Sequence, residues 1–439
     1  MSRQLKNISG FPEWLPEVKA IEDSCVNTVQ RIYESHGFVA IETPAVELLE
    51  TLTAKGVGDK EIYTLRRLAA EEGDEAELGL HFDLTVPFAR YVAAHFNDLV
   101  FPFRRYQLQK VWRGERPQKG RFREFYQFDV DIVAREDLPL SCDAEVVSLL
   151  GKCLCALNIG TPVLKLNNRK LLIGYYEGIG VQESVIFQVI GVIDKLAKIG
   201  VEEVRKQLLA LGLSEKTSND VLEFSGRIIL AQDFESALST LSLPSKLAEE
   251  GAKEVLDVLA LVSESLLPNI EIQFQIARGL DYYTGTIVES EVREYPEFGS
   301  VGSGGRYDGL VSEYLSQRVP GVGVSLGITR IMDLIIKNKI FTPNKRSSAQ
   351  VLIAVLNEEQ RREANEHADD LRSAGINTEV YFKSPKLGKQ IDYAAKKGIP
   401  HVIFIGESLE VKDITSGEQQ SYSSPQELLK IIEQYTCRK

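Results

Sequence analysis

Eight cations crowd one short stretch of this chain, residues 101–133, which read FPFRRYQLQKVWRGERPQKGRFREFYQFDVDIV. Arg104, Arg105, Lys110, Arg113, Arg116, Lys119, Arg121 and Arg123 face one acid, Glu115, until Glu124 restores some balance. Guanidinium and ammonium groups at that density suit a polyanion, although a solvated face has the same composition. Acceptors follow at once. Gln127 and Asp131 lie an even number of residues apart on an alternating run, so both project from one side of a sheet, on Arg113's side if the pairing is simple. Asp83 and Thr85 stand just before Pro87, where a helix is expected to begin; the ordinary work of such residues there is capping. Three more candidates lie further on: Arg278, Tyr282 and Tyr283 in RGLDYYTGT, the glycines of GSGGRYDGL, and Arg330 at a helix start in GVGVSLGITRIMDLI.

The elements that must position these groups are readable from period and punctuation. Tyr106–Trp112 and Phe122–Ile132 alternate as two antiparallel limbs, with Pro117 and Gly120 marking the turn between them. A helix is expected over Pro16–Ser35, ended by Gly37, then a strand over 38–50 that Pro44 closes or edges. The acidic run AAEEGDEAELG reads as a solvated hairpin tip, and Ser141–Leu157 as a packed helix. A strand near Val163–Leu166 leads to a stretch with helical spacing from about Glu183 to Leu267. In residues 272–290, two β-like runs flank a turn of Gly279, Leu280 and Asp281. PNKRSS, residues 343–348, marks a domain boundary, and beyond it strands at 350–356, 377–382 and 401–405 alternate with helices at 358–373, 387–397 and from Pro425, the pattern of an open α/β sheet.

Composition bounds the possibilities. At 439 residues, two or three domains are expected, and 44% hydrophobic residues suffice for ordinary cores. A net charge of −12 argues against a general basic coat for nucleic acid but leaves room for a local basic groove. Five scattered cysteines without a CxxC pair indicate neither a disulfide framework nor a zinc cage. No apolar run approaches the roughly 20 residues that span a bilayer, so a cytoplasmic location without membrane contact is expected.

The order of residue types narrows this further. Arg113-x-Glu115, a loop, then Arg121-x-x-x-Phe125 resembles motif 2 of the class II aminoacyl-tRNA synthetases, and with Gln127 and Asp131 the strand is similar to that of the histidyl-tRNA synthetase family. DLTVPFARY resembles one branch of that family, and RGLDYYTGT and GSGGRYDGL resemble its two histidine-specific signatures. The helix-strand-proline unit at 16–50 resembles motif 1, and Arg330 matches motif 3. Two positions depart from the pattern: His81, where the family usually has Arg, and Asp131, where many members carry Glu.

The resemblance implies an α+β catalytic domain over 1–342 with a mixed, mostly antiparallel sheet, a helical insertion at about 172–265, and an anticodon-binding α/β domain over 343–439. It implies a ligase that activates histidine with ATP as an adenylate and then passes it to tRNA(His), working as a homodimer with Mg²⁺ on the outer phosphates, and it singles out no metal-ligating residue. Asp83 and Thr85 would then hold the α-amino group, Asp131 the imidazole N–H, with Gln127, Tyr282 and Tyr283 around them. Arg278 would meet both the carboxylate and the α-phosphate, joined by Arg113 on the charge that builds there. For the nucleotide it implies Arg113, Arg121, Glu115 on the adenine amino group, and Phe125 with Arg330 about the ring, Arg330 also reaching the γ-phosphate. Arg116 and Lys119 would approach tRNA. A catalytically inactive, histidine-binding regulatory relative, of the kind that serves ATP phosphoribosyltransferase, is the alternative.

Overall fold

A computed structural model describes residues 6–53, 61–69, 75–276, 282–341 and 346–437, with residues 436 and 437 described by backbone alone. The chain divides into two compact units, Met1–Pro12 with Cys25–Ile340, and Glu13–Ser24 with Phe341–Lys439. The boundary expected at 343 falls within residues 342–345, outside those described.

In the first unit, strands β1 (Val39–Ala40), β2 (Val46–Leu48), β3 (Thr64–Leu65) and β4 (Leu78–Leu80) precede the long pair β5 (Phe103–Trp112) and β6 (Glu124–Val133). β7 (Pro162–Asn168), β8 (Ile228–Leu230), β9 (Ile270–Gln273), β10 (Thr286–Val292), β11 (Gly302–Tyr307) and β12 (Gly321–Gly327) follow. Nine of these form one sheet in the order β1-β5-β6-β12-β11-β10-β7-β9-β8, while β2, β4 and β3 make a small sheet of their own. Pairing in the large sheet is antiparallel except at β1–β5 and β7–β9. This is the mixed, mostly antiparallel sheet the sequence pointed to.

Several expectations change here. The strand expected over 38–50 is split at Pro44: β1 joins the large sheet and β2 the small one, because a residue without an N–H cannot continue a ladder. The runs either side of Gly279 do not pair with each other. β7 lies between β9 and β10, parallel to the first and antiparallel to the second. The stretch expected to be helical is interrupted by β8, which edges the large sheet. GSGGRY is a strand, β11, whose glycines admit neighbours: a Cβ at Gly302 would lie 2.7 Å from a methyl of Leu150, and one at Gly304 would overlap the Gly323 carbonyl. The hairpin tip expected in the acidic run falls partly on residues 70–74, outside those described, while β3 and β4 pair antiparallel below it.

The helices agree closely with their periodicity: Pro16–Ser35, Thr85–Ala94, Leu140–Leu157 and Ile328–Asn338. Phe88, Val92, Phe96, Phe103, Val133, Tyr282 and Tyr307 pack as one buried cluster, which seats the Thr85–Ala94 helix against β5 and β6.

The second unit holds a sheet in the order β14-β13-β15-β16-β17, where β13 is Val351–Ile353, β14 Thr378–Val380, β15 His401–Ile405, β16 Leu409–Asp413 and β17 Gln419–Tyr422. The first three are parallel and alternate with helices Arg361–Ser373 and Leu387–Lys397. The hairpin of β16 and β17 has no counterpart in the sequence reading, because β17, QQSY, is polar and exposed over its first three residues and carries no alternating apolar signal. Among the described residues, no helix of the protein is long and apolar enough to cross a membrane.

Candidate active site

The register of β5 with β6 pairs Arg105 with Asp131, Gln107 with Asp129, Gln109 with Gln127 and Val111 with Phe125. Odd-numbered residues of both strands therefore share a face. Beyond the ladder, the Arg113 amide donates to the Arg123 carbonyl at 2.9 Å, which keeps Arg113 on that same face. The basic loop between the strands closes in a tight turn, with Gln118 and Arg121 exchanging backbone hydrogen bonds and Gly120 in the left-handed region at φ +68°.

A helix holds this loop in place. The Gly120 amide donates to Asp333 Oδ2 at 3.0 Å, Arg330 Nε donates to the Gly120 carbonyl at 2.6 Å, and the Tyr126 amide donates to Thr329 Oγ1 at 2.9 Å. All three partners lie on Ile328–Asn338. Two parts of the chain some 200 residues apart thus fix one wall.

The wall encloses a cavity of about 490 Å³, within the range of small-molecule sites. At one end stand Arg113, Glu115, Arg121, Phe125 and Arg330. The Arg113 guanidinium lies between two rings, 4.2 Å from the centroid of Phe82 and 5.2 Å from that of Phe125, and its Nε donates to the Phe82 carbonyl at 3.2 Å. Burial lowers its pKa, but the carboxylates of Asp83 and Glu115 oppose this and it stays a cation. Arg121 donates to Glu115 Oε2 at 2.9 Å, and Arg330 is held by the carbonyls of Gly120 and Ser300. A planar cation beside a half-buried ring offers two faces to an aromatic base.

At the other end stand Asp83, Thr85, Gln127, Asp129, Tyr282 and Tyr283. Asp83 caps the helix it precedes, its Oδ1 accepting from the Val86 amide at 3.1 Å, as residues at that place ordinarily do. Its Oδ2 is buried and has no hydrogen-bond donor among the described residues, so one carboxylate both caps and faces the cavity. Burial raises its pKa, with the Val86 amide and Arg113 opposing. Gln127 Nε2 donates to Ser325 Oγ at 2.8 Å, leaving its Oε1 without a donor among the described residues. Tyr282 and Tyr283 meet edge to face, 4.9 Å between centroids, and burial pushes both phenols upward.

Asp131, the candidate for the imidazole N–H, lies further along β6. It shares the face with Gln127, but it does not line the cavity: Oδ1 accepts from Tyr307 Oη at 2.7 Å and Oδ2 lies 2.7 Å from Arg105 Nη2. Arg105 is itself wholly buried and stacked 4.1 Å from the Phe88 ring centroid. Asp129, two residues earlier on the same strand, does line the cavity. Alternation put it on the right face between Gln127 and Asp131, and that signal was available in FYQFDVD. Ser325, Arg169, Phe187 and Glu289 also line the cavity, and no motif or periodicity marked them as more than packing.

The remaining expected residues divide as follows. Arg278 lies outside the described residues, as does the turn of Gly279, Leu280 and Asp281. Arg116 is exposed, and Lys119 sits 2.9 Å from Glu297 and 4.3 Å from the Phe298 ring centroid, both on the loop and away from the cavity lining. His81 is fully buried, with Nε2 donating to the Lys110 carbonyl at 2.6 Å, which ties the Asp83 segment to β5. Burial lowers its pKa, so the ring is neutral.

Comparison with known proteins decides between the two readings. A family model for histidyl-tRNA synthetases matches residues 10–331, and one for an anticodon-binding domain matches residues 350–435. The chain belongs to the histidyl-tRNA synthetase family. It is 44% identical to a histidine–tRNA ligase of Thermobifida fusca, over 94% of this chain and 95% of that one. It is 42% identical to one of Micrococcus luteus, over 96% and 95%. The crystal structure of a Nostoc histidyl-tRNA synthetase superposes with a TM-score of 0.87 at 36% identity, covering 99% of this chain and 100% of that one. Membership makes the chain an aminoacyl-tRNA ligase, and identity over nearly the full length weighs against the inactive regulatory relative.

Proposed function

We propose that the chain activates L-histidine with ATP and transfers it to the 3′ end of tRNA(His), as a homodimer in the cytoplasm. The observation that carries this reading is a single cavity with fixed cations and an aromatic wall at one end and inward-facing acceptors at the other, sized for an amino acid and a nucleotide side by side.

The chemistry follows from that polarity. The substrate's ammonium is held by Asp83 Oδ2, Thr85 and Gln127 Oε1, a set that contains only acceptors and one hydroxyl. Its carboxylate then lies toward Arg113. A carboxylate oxygen attacks the α-phosphorus of ATP, and the bond to the bridging oxygen breaks, releasing diphosphate. Negative charge builds on the α-phosphoryl oxygens as this happens, and Arg113, with Arg278 as its partner, stabilises it from a position fixed before the reaction. Phe125 and Arg330 take the adenine between them, Glu115 accepts from its amino group, and Arg330 and Arg121 face the outer phosphates. In the second step the terminal ribose hydroxyl of tRNA attacks the adenylate carbonyl, AMP leaves, and the hydroxyl proton passes to a phosphate oxygen of the substrate.

Magnesium comes in with the nucleotide on this reading. Its ligands would be the outer phosphates. Arg116 and Lys119, on the loop, and Lys383, Lys386, Lys389, Lys396 and Lys397, in the second unit, are the cations offered to the tRNA backbone.

ATP–diphosphate exchange with each of the twenty amino acids tests the reading. Exchange with histidine alone is expected, and its loss in Arg113→Ala. Exchange with none of them, despite measurable histidine binding, would replace this function with that of a regulatory relative.

A further inference from the structure

We propose that Asp333, on the helix Ile328–Asn338, is a positioning residue that sets the phosphate end of the cavity by holding the Gly120 peptide. The proposal rests on the ATP reading above and adds a residue to which that reading gives no part.

The basic loop has a physical reason to leave its seat. Arg116, Lys119, Arg121 and Arg123 crowd it against the acid Glu115, and like charges on one short turn repel. Within the turn, Gln118 and Arg121 bond each other's backbone at 2.9 and 3.2 Å, with Gly120 in the left-handed region between them. Both polar groups of Gly120 are met from outside the loop, and by one helix. Its amide donates to Asp333 Oδ2 at 3.0 Å, and its carbonyl accepts from Arg330 Nε at 2.6 Å. Arg330 and Asp333 are three residues apart, so they project from one helix face and close on the same residue. The seat has little slack: a Cβ at Gly120 would lie 3.3 Å from the Phe298 carbonyl and 3.4 Å from Arg330 Cγ.

Asp333 does not line the cavity, whereas Gly120, Arg121 and Arg330 do, so any effect of Asp333 on a ligand passes through the loop. Arg121 follows Gly120 directly, and the place where its backbone starts decides where its guanidinium stands. The other foot of the loop is held separately. The Gly114 amide donates to the Glu61 carbonyl at 2.7 Å, and the Glu115 carbonyl accepts from Arg123 Nε at 3.0 Å. Releasing Gly120 therefore frees Arg121, which faces the outer phosphates, and leaves Glu115 and Phe125 beside the adenine. Cations that must be repositioned when phosphates arrive lose the advantage of being fixed beforehand.

The sign of the effect distinguishes positioning from charge. A carboxylate close to a site for a polyanion is electrostatically adverse, and Lys337, 2.8 Å from the same Oδ2 but half exposed, offsets only part of it. By charge alone, removing Asp333 should tighten ATP. By positioning, removing it should weaken ATP, because the buried Gly120 amide loses its acceptor and the turn comes away from the helix.

Calorimetric binding of ATP and of AMP to the full-length protein, with Asp333→Ala and Asp333→Asn beside wild type, is the test. Asp333→Ala is expected to weaken ATP about tenfold or more with AMP within about twofold, the loss of one hydrogen bond to a charged acceptor felt at the outer phosphates. Asp333→Asn keeps an oxygen that can accept from Gly120, and it should bind ATP as wild type does or more tightly. Should Asp333→Ala not fold, Asp333→Leu fills a similar volume without an acceptor and carries the same expectation. A folded Asp333→Ala or Asp333→Leu protein that binds ATP within twofold of wild type, or more tightly, would overturn the proposal. Equal weakening of ATP and AMP would also overturn it, since that is what a general loss of the wall would give. An Asp333→Asn protein as weak as Asp333→Ala would do the same by making charge the cause. A wild type that binds ATP but exchanges it with no amino acid would count against the function above and leave this assignment standing.

Discussion

At the end of the cavity floored by Gln127 and Asp129, three acceptor atoms face inward without a donor among the described residues: Asp83 Oδ2, Gln127 Oε1 and Asp129 Oδ1. At the opposite end the cations are already engaged, Arg113 with the Phe82 carbonyl and two rings, Arg121 with Glu115, and Arg330 with two backbone carbonyls. The contrast separates two ways of binding. Buried acceptors without donors make the empty site costly and so reward only the ligand whose N–H groups match them. Cations fixed by carbonyls and rings need no rearrangement when phosphates arrive, which favours rate over discrimination. On the proposed function, one end chooses and the other catalyses.

That division is open to direct attack. The largest effect should come from the catalytic end: Arg113→Ala should lower kcat of exchange by about 10²- to 10³-fold, the range for removing one fixed donor from developing charge, with KM for histidine little changed. Steady-state exchange at saturating substrates reads this, and a loss confined to KM would put Arg113 on the selecting side. Next, Asp83→Asn should raise KM for histidine about tenfold or more while leaving KM for ATP alone, since an amide oxygen can still cap the Val86 amide but no longer carries charge for the ammonium. If thermal melting drops instead and KM does not move, Asp83 is a cap and nothing more.

A smaller effect concerns stability. The pKa of Asp129 is raised to about 7 in the folded protein from an ordinary 3.8, so folding favours its protonated form. Its contribution is therefore intact below about pH 4 and is lost as pH rises through about 7. Asp129→Asn, which cannot ionise, should gain on wild type in thermal midpoint between pH 4 and 7 and hold a constant advantage above. A difference independent of pH would mean that the carboxylate is not strained by its burial. The smallest effect is expected at the rim: Lys119→Ala removes an exposed, solvent-screened pair with Glu297 and should raise KM for tRNA a few-fold while exchange is unchanged.

The parts of this molecule that were legible in the sequence are those governed by local rules. Pro16–Ser35 and Leu387–Lys397 declared themselves through apolar spacing and their flanking breakers, and the long pair β5 and β6 through alternation around Pro117 and Gly120. Of the candidate residues, alternation put Gln127 and Asp131 on one face of the sheet, and the register of β5 with β6 has them there. What escaped depends on long-range packing. The engagement of Asp131 is decided by Tyr307 and Arg105, distant in sequence, and by the closeness of β12 at Gly323, so alternation gave the face but not which aspartate on it would line the cavity. The placing of β7 between β9 and β10, and the capture of β8 at the sheet edge, are likewise matters of strand order, about which alternation is silent.

The measurement that bears most directly on a single two-ended cavity is calorimetric binding of a non-hydrolysable histidyl-adenylate analogue, compared with histidine and with ATP separately. Because such a molecule spans both ends and pays for association once, it should bind at least about 10²-fold more tightly than either part and should be displaced by each of them. An analogue that binds no better than histidine, or that histidine fails to displace, would contradict the account by showing that the selecting and catalytic ends do not serve one ligand.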